Sequence, residues 1–119
     1  MPDTIVINGI KACDTMKKAR SWLDSHGVVH RFHDYKTSGV AREKLESWTA
    51  VVGWQTLLNR SGTTFRKLPE SAKAGLDKSK AIALMLAQPS MIKRPVLEAG
   101  GKVIVGFNPE AYSKIFGGA

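Results

Sequence analysis

Cys13 is the only cysteine in this 119-residue sequence, and its position gives it the makings of a nucleophile. A short apolar run, Thr4 to Asn8, breaks at Gly9, and a helix-forming run beginning Asp14-Thr15-Met16-Lys17-Lys18-Ala19 follows. A thiol at a helix N-terminus meets the positive end of the macrodipole and N–H groups that have no intrahelical partner, and both favour the thiolate. Lys11, two residues upstream, adds to the same effect. A lone cysteine is more often a small buried hydrophobe. The turn from strand to helix, however, lies at the mouth of an α/β sheet, where ligands bind. A reactive thiol is therefore expected.

No other constellation competes. His26, His30 and His33 lack metal-ligand spacing, and His30 reads as a strand residue, so no metal site is expected. The serines, histidines and aspartates suggest no triad, and Gly100-Gly101 reads as a hairpin turn rather than a phosphate loop. Trp22, Trp48 and Trp54 read as fillers between helices and sheet.

The elements must place that thiol. Ile5-Val6-Ile7 suits a strand covered on both faces. Met16, Ala19 and Leu23 form one helical stripe that ends near Gly27, and Val28 to Tyr35 reads as a second strand, which completes a parallel βαβ unit. Leu45, Trp48, Thr49 and Val52 mark a helix closed by Gly53, and Trp54 to Leu58 is a short apolar turn. Residues Asn59 to Arg66 read as a loop, and Pro69 suits the first turn of a small helix. Asp77 suits the N-cap of Lys78 to Gln88, which Pro89 stops. Val96 to Glu98 and Lys102 to Val105 flank a glycine turn, and Asn108-Pro109 opens a last helix through about Phe116.

This order is the thioredoxin-fold layout: an α/β domain with a four-stranded mixed sheet. A helical insertion at about 40–90 separates the βαβ unit from the C-terminal hairpin and helix, and residues 1–119 are expected to form one domain. In that layout the proline of Arg94-Pro95, just before the third strand, is cis and faces the cysteine. Arg94 then lies beside Cys13, where its guanidinium can hold an anion bidentately and acidify the thiol.

Composition sets limits on the partners. A hydrophobic content of 43% indicates a folded chain. No apolar stretch approaches the roughly 18 residues of a membrane span, and the N-terminus lacks a signal-like pattern. One cysteine forms no internal disulfide. A cytoplasmic protein with no membrane partner is expected. The 18 basic and 10 acidic residues leave a formal charge of +8. The basic residues are scattered and accompany no nucleic-acid-binding motif, so an anionic small substrate is favoured over nucleic acid.

Three ordered blocks carry a family resemblance. They are Lys11 to Arg20 around Cys13, Leu57 to Leu68, and Pro89-Ser90-Met91-Ile92-Lys93-Arg94-Pro95. Together they resemble the ArsC/Spx family, and within it the YffB-like subgroup of glutathione-dependent thiol reductases. In the family's arsenate reductases one cysteine attacks the substrate and three arginines cradle the oxyanion. On this resemblance Cys13 is the catalytic residue and Arg94 an anion-binding residue, and the arginine after the Leu-Leu pair falls at Asn59 or Arg60. The third arginine belongs around Val105 to Glu110, where the sequence has none. Losing one charge-assisted donor costs about 1.5–3 kcal/mol, which argues against arsenate as the main substrate. The family's redox-sensing regulators carry Cys-x-x-Cys, whereas Cys13-Asp14-Thr15-Met16 has methionine at the second position.

The resulting expectation is a glutathione-dependent thiol reductase in which Cys13 forms a mixed disulfide. Lys11, Arg60, Arg94 and Pro95 form its substrate and anion site. It binds no resident cofactor, uses glutathione as co-substrate, and acts on glutathionylated or disulfide substrates. The alternatives are reduction of arsenate or another oxyanion, and a non-enzymatic, Spx-like module that binds a protein partner.

Overall fold

A computed structural model describes residues 5–11 and 13–116, so the expected strand start at Thr4 lies outside the described residues. The chain divides into two compact units, residues 1–38 with 94–119, and Gly39–Lys93.

The first unit is built on a four-stranded sheet of order β2-β1-β3-β4. Strand β1 (Ile5–Gly9) pairs parallel with β2 (Arg31–Asp34) and antiparallel with β3 (Val96–Ala99), which pairs antiparallel with β4 (Lys102–Val105). Helix α1 (Asp14–Ser25) buries its Met16, Ala19 and Leu23 stripe against Ile7 and Leu97, and Tyr112 of α8 (Pro109–Phe116) completes that core. Asn108 caps α8, its Oδ1 accepting from the Glu110 and Ala111 N–H groups at 2.8 and 3.3 Å. This is the expected thioredoxin-like α/β architecture with a mixed sheet.

Strand β2 is shorter than the run Val28 to Tyr35 suggests. Gly27 takes a positive φ of 69° and the Val28 N–H returns to the Leu23 carbonyl at 2.9 Å, so the chain is still leaving α1 there. Val29 is 90% exposed, and His30 precedes the strand instead of joining it. At the other end Asp34 Oδ1 accepts from the Lys36 N–H at 2.8 Å, and the chain turns into α2 (Tyr35–Ser38).

The second unit is helical. Helices α3 (Arg42–Val52), α4 (Trp54–Leu57) and α7 (Lys78–Ala87) pack together, with Leu45, Trp48, Leu57 and Met85 buried. Asp77 caps α7 by accepting from the Lys80 N–H at 2.8 Å. The segment read as a loop through Arg66 contains a helical turn, α5 (Thr63–Arg66), because Phe65 is buried and anchors it. A further turn, α6 (Glu70–Lys73), starts after Pro69, and a 3-10 turn (Pro89–Met91) follows α7. Among the described residues no helix is long and apolar enough to cross a membrane.

Candidate thiol site

A close contact joins the end of β1 to the start of α1. Met16, fully buried, lies across Gly9 so closely that a Cβ on Gly9 would fall inside the radius of Met16 Sδ and 2.9 Å from its Cε. The absence of a side chain at Gly9 lets the first turn of α1 seat in the core. That seating places Cys13 at the N-cap in extended conformation, φ −136° and ψ 126°.

The half-buried Cys13 sulfur makes no capping bond of ordinary geometry, yet its thiol is acidified. Burial pushes its pKa up, but the Met16 N–H, a hydrogen bond from the Arg94 side chain, the Thr15 N–H and the Arg94 charge together outweigh it and hold the thiol below its ordinary value. Each of these donors favours the ionised sulfur over the neutral thiol. Lys11 is exposed and is not among the groups acting on the sulfur.

Arg94 reaches Cys13 from the far side of the sequence. The Arg94-Pro95 bond is cis, as expected at this junction. Pro95 is buried, and its carbonyl accepts the Gly106 N–H at 2.8 Å, tying the start of β3 to the end of β4. The sheet thus fixes the backbone from which Arg94 extends.

Arg60 belongs to the helical unit and is exposed, its guanidinium 5.9 Å from the centre of the Trp54 ring. Local bonds hold its loop. The Asn59 N–H donates to the Met91 carbonyl at 2.7 Å, and the Lys93 N–H donates to Leu57 at 2.9 Å. The Asn59 side chain accepts from Ser61 Oγ at 3.1 Å. Among the described residues no cluster of three or more His, Cys, Asp or Glu could hold a metal ion.

Three polar residues of the sheet unit escaped sequence reasoning: Asn8, Tyr35 and Glu98. Asn8 Nδ2 donates to the Val96 carbonyl at 2.9 Å and to Glu98 Oε1 at 3.1 Å. Tyr35 is 1% exposed. Burial, followed by the Glu98 charge, pushes its phenol far above its ordinary value against the opposing Arg94 charge. An asparagine ending an otherwise apolar strand was the one available signal.

Known proteins resemble this chain in sequence and fold. The model of the ArsC family matches residues 8–115. A solved structure of a YffB protein is 66% identical, with a TM-score of 0.93 over 95% of this chain and 99% of that one. An arsenate reductase (ArsC) related protein from Brucella melitensis is 55% identical, with a TM-score of 0.76 over 96% of this chain and 95% of that one. The global transcriptional regulator Spx of Streptococcus mutans is 30% identical over 102 residues, 83% of this chain and 73% of Spx.

Proposed function

Because the chain belongs to the ArsC family, a group of arsenate reductase-like proteins, we propose that it is a thiol oxidoreductase with Cys13 as nucleophile and glutathione as reductant. The observation that carries this reading is an acidified cysteine, bonded to an arginine, in a chain with no second cysteine to resolve a disulfide. The Cys13 thiolate attacks the glutathione sulfur of a glutathionylated substrate. A Cys13–glutathione disulfide forms, the substrate S–S bond breaks, and the substrate leaves as its thiolate. A free glutathione thiolate then attacks the glutathione sulfur of that mixed disulfide, releasing oxidised glutathione and restoring the Cys13 thiolate. The substrate gains two electrons and the glutathione pool loses two.

Arg94 has two tasks in this scheme: it stabilises the thiolate and pairs with a glutathione carboxylate. Arg60 enters as a second cation on its motif alone, and Lys11 as a surface charge favouring anions. No resident cofactor is required. The relatives described as arsenate reductase-related and as a transcriptional regulator favour two other readings, oxyanion reduction and protein binding without turnover.

Mass spectrometry after incubation with oxidised glutathione tests the proposal. One glutathione should add per chain, reverse with excess reduced glutathione, and be lost in Cys13→Ser. A wild type that stays unmodified while turning over arsenate would favour oxyanion reduction. A chain inert in both assays that binds a protein partner equally well as Cys13→Ser would favour the binding module.

A further inference from the structure

At the end of β1 remote from Cys13, the sheet unit has a pocket that the proposed chemistry does not use. Ile5 begins β1 and lines the pocket, whereas Gly9 ends the strand, so about 13 Å of strand separates the pocket from the turn that leads to Cys13. Ile5 pairs with Ala99, and Ala99 with Lys102, which puts the three in one row on the face that carries the Ile7–Leu97 core. Ile5, Val28 and Phe116 pack at the margin of that core, and with Val29, Ala99 and Ile115 they make the lining mostly apolar. The volume is about 790 Å³. Small-molecule sites span about 300–1000 Å³.

Val29 is 90% exposed, yet the segment that carries it is pinned. The Gly27 and Val28 N–H groups donate back to the Asp24 and Leu23 carbonyls at 3.1 and 2.9 Å, and His30 Nδ1 donates to the Val28 carbonyl at 2.9 Å. An apolar side chain fixed in water beside an apolar pocket, with polar residues at the edge, marks a surface that a ligand covers. The charge of the lining narrows the ligand. Two cations, Arg31 and Lys102, belong to it, and no carboxylate does. Both are exposed, and among the described residues neither has an ion-pair partner. A second copy of this chain would bring its own formal charge of +8 to these cations and be repelled.

An apolar body with one anionic head meets both conditions. We infer that the pocket binds a free medium-chain carboxylate, whose hydrocarbon chain lies along Ile5, Val28 and Phe116 and whose head pairs with Lys102, with Arg31 adding to the attraction. The inference does not depend on Cys13 being a nucleophile.

Decanoate, kept below the concentration at which it forms micelles, is the probe, and NMR shifts read its binding. The shifts should saturate with a Kd of about 1 mM or tighter and centre on Ile5, Val28, Val29, Ala99 and Ile115. Acetate has the head without the chain and should bind about tenfold or more weakly. Decyltrimethylammonium has the chain with a cationic head and should bind about fivefold or more weakly. Arg31→Gln combined with Lys102→Gln should weaken decanoate about fivefold and leave decyltrimethylammonium no weaker. Val29→Asp, at an exposed position on which folding does not depend, should also weaken decanoate, and Cys13→Ser should bind it as the wild type does. Equal binding of decanoate and decyltrimethylammonium would mean only an apolar surface, and equal binding of decanoate and acetate only a charged one. Either result overturns the inference. So do shifts that never saturate, shifts that centre on the turn around Cys13, and a loss of decanoate binding in Cys13→Ser.

Discussion

Arg94 and Arg60 carry the same guanidinium, but two different kinds of structure hold them. Arg94 extends from the start of β3, whose register is set on one side by β1 and on the other by β4, and the Pro95 carbonyl bond to Gly106 closes that frame. Arg60 extends from a loop fixed by a few local bonds between residues 57–61 and 91–93, and its side chain lies exposed near Trp54. The first arginine bonds the cysteine, whereas the second faces water. A cation presented by paired strands is held in place before a substrate arrives. One on an exposed loop must be ordered by the substrate, and part of its attraction is spent on that ordering. The sheet unit should therefore carry most of the chemistry, and the helical unit should adjust it.

The severest test of this contrast removes the thiol itself. Cys13→Ser should abolish mixed-disulfide formation outright, because no other cysteine exists to take its place, and mass spectrometry with oxidised glutathione reads this directly. Arg94→Gln comes next. It removes a charge-assisted bond worth about 1.5–3 kcal/mol, so the rate of mixed-disulfide formation at neutral pH should fall roughly tenfold to a hundredfold. The alkylation midpoint should move upward, because two of the influences that hold the thiol down come from Arg94. An Arg94→Gln variant with wild-type acidity would leave the α1 N–H groups as the sole source of the effect.

Sequence and structure agree where a local signal had a local cause. The stripe Met16, Ala19 and Leu23, the Asp77 and Asn108 caps and the hairpin around Gly100-Gly101 are each specified within a few residues. Strand β2 is shorter than its residue types suggest, because Val28 and Val29 suit a strand by type while the Gly27 turn and the Asp34 cap decide its ends. Helix α5 has no local signal, because Thr63 and Thr64 are poor helix formers and only the burial of Phe65 justifies the turn. At the site, Cys13 could be read from its place at a strand-to-helix turn. Arg94 could be placed beside it only through the fold layout. The contact between Asn8 and Glu98 had no local trace, since β1 and β3 meet only when the sheet forms.

Gly9 offers a test on stability rather than chemistry. In Gly9→Ala the added methyl meets the buried Met16 side chain, which has little room to yield, and overpacking of this kind costs about 1–3 kcal/mol. Denaturant unfolding should show the loss, and Gly9→Ala combined with Met16→Ala should be less destabilised than the sum of the single changes. Additive losses would mean that the Gly9–Met16 contact does not set how α1 starts. Arg60→Gln should have a smaller effect. An exposed cation screened by water contributes little, so substrate affinity should fall about fivefold or less, with the Cys13 alkylation midpoint unchanged. A loss as large as that of Arg94→Gln would remove the contrast between the two units.

The smallest expected effect is a pH dependence of stability. The Cys13 pKa is lowered in the folded protein, and in the unfolded chain it returns to about 8.5. Between the two values the native state has released the thiol proton and the unfolded state still holds it. Stability must therefore rise with pH through that window. The contribution is fully present above the unfolded value and is lost as pH falls through the folded one. Urea midpoints measured across the window should climb for the wild type, and this climb should be missing in Cys13→Ser and reduced in Arg94→Gln. Arg60→Gln should keep the wild-type slope, since its guanidinium is not among the groups acting on the sulfur. If Arg60→Gln flattens the slope as much as Arg94→Gln does, the loop arginine is held against the thiolate as firmly as the strand arginine, and the distinction between them fails.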